Sequence, residues 1–196
     1  MEELLSQFAG LFPVWYTTRA AGLTSYALLF LSMVVGILQS MKWASPRSRS
    51  ILYTIHNTTG WFGLLFGMIH GLVLVFDQHV GYSLGEILIP FTAHSETFRN
   101  GLGTIALYGL FLLVLSSDLM KMVGKKVWKS IHFLAFPSYL VALFHGVTLG
   151  TDSQYGWTQI MYLVTGGMVF LLAVFRFTLV RTEKSARLEK KQIRTS

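Results

Sequence analysis

Residues 50–77 read SILYTIHNTTGWFGLLFGMIHGLVLVFD. This is an apolar run of the length a helix needs to cross a bilayer, interrupted by two imidazoles, His56 and His70. Ionisable side chains inside such a run are costly, and they count as a functional hypothesis in their own right. Four comparable runs flank it, at about 16–41, 98–120, 127–150 and 157–180. The sequence therefore predicts an all-α integral membrane protein with five transmembrane helices over 16–180. A short segment, 1–15, precedes them, and a basic tail, 181–196, too small to fold alone, follows.

The composition agrees with this reading. Of 196 residues 53% are hydrophobic and 13% charged, with a mean hydropathy of +0.53, too apolar for a soluble domain of this size. Membrane lipid is the expected cover. The net charge of +7 sits between the apolar runs, so it reflects topology and not a nucleic-acid surface. Cysteine is absent, which excludes disulfides, iron–sulfur clusters, thiolate ligation and covalent CxxCH attachment. The opening MEELLSQFAGLF has no basic n-region or cleavage site and reads as a retained segment.

Basic residues set the expected orientation, because positive loops stay cytoplasmic. Lys42, Arg47 and Arg49 follow the first span, and Lys121, Lys125, Lys126 and Lys129 follow the third. Arg181, Lys184, Arg187, Lys190, Lys191 and Arg194 fill the tail. The other side holds Arg19 and Arg99 among several acids. The chain is thus expected in the cell membrane with segment 1–15 outside and the tail cytoplasmic. Spans two and four then run parallel, from cytoplasm to exterior.

Each of these two spans carries a histidine near either end: His56 and His70 in span two, His132 and His145 in span four. Fourteen residues turn about 1400°, leaving His56 and His70 within about 40° on one face and about 21 Å apart along the axis. That spacing suits two hemes stacked along the membrane normal. Gly60, Gly63 and Gly67 share the sector and permit close approach of a flat macrocycle or of another helix. In span four, thirteen residues would leave His132 and His145 roughly 140° apart on an ideal helix. Pro137 lies between them and is expected to kink or unwind the span; the alternative is that the two hemes approach span four from different sides. Depth pairs His56 with His132 on the inner side and His70 with His145 on the outer side. Each pair can supply both axial ligands of one iron, an arrangement that favours electron transfer over oxygen binding. A single intramembrane histidine is often only an interhelical hydrogen bond, but four at matched depths form a pattern. Histidines about 21 Å apart with no intramembrane carboxylate do not make one compact metal site.

The HX13H pair at His56/His70 and the HX12H pair at His132/His145 resemble the heme-ligand signature of the ferric reductase-like transmembrane domain family. The stretches WYTTRAAGLTSYALL from Trp15 and HGVTLGTDS from His145 are similar to its small bacterial members. The resemblance spans roughly 15–180 and implies a bundle with two stacked hemes b, passing electrons from an inner donor to an outer acceptor. Relatives with a cytoplasmic flavin and nicotinamide module carry a GxGxxG-type loop, and no flavin site is identified in this chain. Pro90-Phe91-Thr92 resembles part of a flavin-binding motif but falls in the expected external loop, and is read as chance.

Heme propionates need cationic or polar partners near the membrane surfaces. Arg19 and Arg99 are the outer candidates, and Lys129, Lys42 and Arg49 the inner ones, set against simple topology or snorkelling. His79 and His94 read as solvated loop residues, Trp15, Trp43, Trp128 and Trp157 as an interfacial belt. Trp61, Phe62 and Phe66 either pack between helices or line heme faces. The expected function is electron transfer from a cytoplasmic flavin reductase or quinol to an external acceptor or secreted redox protein, the chain serving as the heme subunit of an oxidoreductase. The competing class is a non-catalytic heme carrier or sensor. A histidine-rich transporter would call for intramembrane carboxylates, and Asp77 and Asp118 lie only at span ends.

Overall fold

A computed structural model describes residues 13–41, 45–77 and 80–195, with side chains through residue 182. Among the described residues the chain is all helical. The order is α1 (Val14–Ser40), α2 (Pro46–Val73, extended by a 3-10 turn Leu74–Phe76), α3 (Leu84–Leu88), α4 (Thr97–Asp118), α5 (Met120–Val123), α6 (Lys125–His132), α7 (Ala135–Leu149), a 3-10 turn Thr151–Gln154, and α8 (Gly156–Thr195). Five segments are long and apolar enough to cross a membrane: Val14–Ser40, Pro46–Phe76, Thr97–Asp118, Lys125–Leu149 and Gly156–Thr182. They match the expected spans to within a few residues. The backbone of the tail continues α8 to Thr195.

Local sequence sets several boundaries. Ser45 caps α2 by accepting from the Ser48 N–H, with Pro46 at the first helical position, where its missing N–H costs nothing. α1 and α2 lie antiparallel along their lengths, and α4 packs on α7. α8 packs more lightly on α1 and α7 and leaves residues such as Leu163, Phe170 and Leu171 exposed, as a lipid-facing helix does. Where α1, α7 and α8 meet, Tyr26, Tyr139 and Tyr162 are buried. The Tyr26 hydroxyl lies 3.0 Å from that of Tyr139 and 2.6 Å from Thr165 Oγ1, so these polar atoms are satisfied away from water.

The fourth span is broken directly after His132. Phe133 and Leu134 form a turn between α6 and α7, and the Leu134 N–H reaches back only three residues, to the Ile131 carbonyl. Pro137 explains the position of the break. It has no N–H, and its ring excludes the carbonyl of the residue four earlier, Phe133. Three-residue turns advance roughly 20° more per residue than α-helical ones, so Phe133 and Leu134 recover about 40° of the roughly 140° offset between His132 and His145.

Candidate functional site

The four span histidines come together as two pairs. The His56 and His132 ring centroids are 6.0 Å apart with planes at 69°, and those of His70 and His145 are 6.1 Å apart at 80°. Two imidazoles bound on opposite sides of one metal ion, through bonds of about 2 Å, place their centroids roughly 6 Å apart. Each pair joins α2 to the broken fourth span, one toward each membrane face.

Three of the rings are held in the same way. His70 Nδ1 donates to the Thr18 carbonyl at 2.8 Å, His56 Nδ1 to the Ser32 carbonyl at 2.9 Å, and His145 Nδ1 to the Arg99 carbonyl at 2.8 Å. A carbonyl only accepts, so Nδ1 carries the proton and Nε2 keeps its lone pair for a ligand. Each accepting residue is followed four positions later by a glycine: Gly22, Gly36 and Gly103. A β-carbon on Gly22 would meet His70 Nδ1 at 2.8 Å, on Gly36 His56 Cε1 at 3.0 Å, and on Gly103 His145 Cε1 at 2.6 Å. The missing side chain is what lets the ring reach the carbonyl. Ser32 also returns its hydroxyl to the His56 carbonyl at 3.2 Å.

His132 differs. Its Nδ1 is buried with no hydrogen-bond partner among the described residues. The α4–α7 register that sets Arg99 opposite His145 would bring His132 opposite Leu112, with Ser116 where the glycine would stand. The His132 ring instead stacks on Trp128 at 4.9 Å and 30°, and Trp128 Nε1 donates to Ser117 Oγ at 3.2 Å.

A cleft partly open to the outside lies between His56 and His132, walled in part by Gly60, Ala106, Leu110, Ser117 and Ser138. Gly60 thus borders open space, whereas Gly63 faces Leu28 and Leu29 of α1, and Gly67 faces Ser25 and Leu107. Ser25 donates to the Gly63 carbonyl at 2.8 Å. Among the described residues no three His, Cys, Asp or Glu side chains converge on one point. A metal held by two imidazoles alone is under-coordinated, so the donor set fits an ion that brings its own equatorial ligands, as heme iron does.

The other candidates scatter. Arg19 forms a two-pronged ion pair with the buried Asp152 and stacks over Trp15, 3.9 Å from the ring centroid. Arg99 donates to the Thr148 carbonyl at 2.6 Å and pairs with Glu96 at 2.5 Å. Lys129 is exposed on α6 and Arg49 on the first turn of α2. Lys42, Trp43 and His79 lie outside the described residues. Trp61 and Phe62 are half exposed on the outer surface of α2. His94 is anchored: Glu86 Oε1 lies 2.5 Å from its Nδ1 and the Val80 carbonyl 3.2 Å from its Nε2. That contact raises the His94 pKa, while the Glu86 carboxylate, held first by the Ser83 N–H and then by His94, falls to about 2.

The sequence reading missed Gly22, Gly36, Gly103, Ser32 and Asp152. One signal was available: Gly22 and Gly36 stand fourteen apart in the first span, as His56 and His70 do in the second.

The sequence profile of the family described as Ferric reductase like transmembrane component matches residues 21–143, well over half of the chain and including three of the four paired histidines. No curated protein and no solved structure matches it.

Proposed function

The chain belongs to the ferric reductase-like transmembrane family, and from that premise we propose that it carries electrons across the membrane through two b-type hemes. His56 and His132 hold the inner heme, His70 and His145 the outer one. The observation that carries this reading is the pair of imidazole couples with centroids 6.0 and 6.1 Å apart. When bound, each heme supplies a one-electron ferric/ferrous couple, and six-coordination keeps oxygen off the iron. The protein's part is to place and tune these groups. Thr18, Ser32 and Arg99 fix tautomer and ring orientation through their carbonyls, which raises the basicity of the ligating nitrogen. The apolar helices exclude water.

The basic loops and tail put the His56/His132 pair on the cytoplasmic side, with residues 1–15 outside and 181–196 inside. The donor is a separate cytoplasmic flavin reductase or a membrane quinol, and the acceptor an external oxidant or secreted redox protein. Arg19 and Lys129 stand near the two surfaces as propionate partners, Arg19 sharing its charge with Asp152. The test is vectorial transfer. Proteoliposomes with a ferric chelate inside and a flavin reductase with NAD(P)H outside should reduce the entrapped iron in chains whose cytoplasmic face points outward. Bound heme that stays oxidised, or that is reduced without passing electrons to the chelate, would favour a non-catalytic carrier or sensor.

A further inference from the structure

Residues 84–92, in the connection from α2 to α4, run inward along α4. α4 has 22 residues, about 33 Å, close to the roughly 30 Å of a hydrocarbon core. Thr104 is seven residues inward from its first residue, Thr97, about 10 Å along the axis. Thr104 Oγ1 donates to the Ile87 carbonyl at 2.9 Å, and the hydroxyl of Tyr108, deeper still, donates to the Leu88 carbonyl. On the other flank, a β-carbon on Gly71 would meet Ile87 Cγ2 at 3.5 Å. The chain then climbs back: the backbone of Phe91 lies against Gly101, where a β-carbon would stand 2.8 Å from the Phe91 nitrogen, and the Ala93 carbonyl accepts from Thr97 Oγ1 at 2.7 Å. Residues 84–92 therefore descend and return beside α4, between it and α2, at the level of His70 and His145.

The backbone at the bottom of this excursion is satisfied by protein. A five-residue helix ends with open carbonyls, which at a water-facing site are simply hydrated. Here hydroxyls from a transmembrane helix take those of Ile87 and Leu88. The Ile89 carbonyl accepts from Thr92 Oγ1 at 2.8 Å, the Ile89 N–H donates to the Gly85 carbonyl at 2.8 Å, and Pro90 has no N–H to satisfy. Irregular backbone at membrane depth requires this internal pairing. Outward from it point Leu84, Leu88, Ile89 and Phe91, each 45–57% exposed. The polar atoms gather at the other end. Glu86 takes hydrogen bonds from Ser83 N–H and Oγ and from the His94 N–H and ring.

We propose that residues 84–92 are a re-entrant segment whose Leu84, Leu88, Ile89 and Phe91 face contacts the lipid acyl chains of the leaflet that holds His70 and His145, sealing the gap between α2 and α4. The occupant is hydrocarbon because the face lies beside the exposed Tyr108 of α4, whose hydroxyl bonds the Leu88 carbonyl, with no unpaired backbone carbonyl among Ile87, Leu88 and Ile89. This inference does not rest on the heme assignment.

The natural absence of cysteine makes the test direct. Single Leu88→Cys, Ile89→Cys and Gln154→Cys variants of the full chain would be spin-labelled in phosphatidylcholine nanodiscs. Collision with oxygen would be compared with collision with a water-soluble nickel chelate. Labels at 88 and 89 should be relaxed by oxygen and lose nearly all collision with the chelate, while the label at 154 should show the reverse. Chelate collision at 88 and 89 equal to that at 154 would overturn the proposal. Ile89 is the more exposed of the two and decides the outcome alone if a label at 88 disturbs packing. Heme loss leaves the readout intact.

Discussion

The His70 ring fills the space where a β-carbon on Gly22 would stand, 2.8 Å from Nδ1, and His145 crowds Gly103 more closely still, at 2.6 Å. A methyl group at either glycine must push the imidazole off its carbonyl or move the helix, an overpacking cost of about 1–3 kcal/mol. Gly103→Ala and Gly22→Ala should therefore lower the melting temperature and the occupancy of the outer heme, with Gly36→Ala milder on the inner one. Gly167→Ala, where nothing lies within 4 Å, is the control. Heme content and melting temperature of Gly103→Ala equal to those of Gly167→Ala would contradict this account of the rings.

Pro137 breaks the fourth span at Phe133 and Leu134, and the break turns His132 part of the way toward the face of His145. Pro137→Ala restores the missing N–H and favours a continuous helix. Of the four histidines only His132 lacks an Nδ1 acceptor to hold it against that rotation. The variant should show a high-spin signal from the inner heme and an unchanged low-spin outer heme by electron paramagnetic resonance. Two unperturbed low-spin signals would show that the break does not set the ligand.

Asp152 is buried and receives both prongs of Arg19, tying the 3-10 turn after α7 to the helix that orients His70. Asp152→Asn leaves Arg19 without its counter-charge and removes one acceptor. Thermal unfolding should shift downward, and Arg19→Lys, which keeps the charge but not the fork, should shift it less. Equal melting temperatures for wild type and Asp152→Asn would contradict the anchoring role.

The contact between Glu86 and His94 makes the 80–96 segment pH-sensitive. Both ring nitrogens of His94 face oxygen acceptors, an arrangement that only the imidazolium satisfies in full. A raised imidazole pKa contributes stability below its unfolded value that is lost as pH rises through the folded value. The depressed Glu86 pKa contributes stability above its unfolded value that is lost as pH falls through about 2. The segment should be tightest between roughly pH 4.3 and 6.5. Hydrogen exchange at the Ser83 and His94 amides, corrected for intrinsic rates, should quicken above that window, and His94→Ala should abolish that rise while leaving the low-pH limb set by Glu86 and Ser83. Protection that stays flat to pH 9 would refute it.

The five spans and the histidine pattern could be read from sequence because both rest on local quantities: apolar length, and residues fourteen or thirteen apart along one helix. Pro137 announced the break, although its consequence falls at Phe133 and Leu134, where the excluded carbonyl lies. Gly60, Gly63 and Gly67 were visible as one sector, yet only packing separates Gly60, which borders the cleft, from Gly63, which faces α1. Gly22, Gly36 and Gly103 carry meaning only with the carbonyl four residues earlier and an imidazole from another helix, a three-part relation that no single span displays. The pairing of Arg19 with Asp152 was hidden because the two lie 133 residues apart. The re-entrant course of residues 84–92 was hidden because its carbonyls are satisfied by Thr104 and Tyr108, residues that read as ordinary positions of a span.

On the proposed pairing, the four histidines make two independent bis-imidazole sites, His56 with His132 and His70 with His145. A pyridine hemochrome assay, paired with redox-resolved spectra, measures this on the wild type and on His70→Ala, His145→Ala and the double variant. Two hemes per chain are expected in the wild type, with loss of the same outer heme in both single variants and in the double variant. The inner heme remains, low-spin, in all three. A single heme at full occupancy in the wild type would contradict the pairing, as would loss of both hemes in the double variant when each single variant loses a different one.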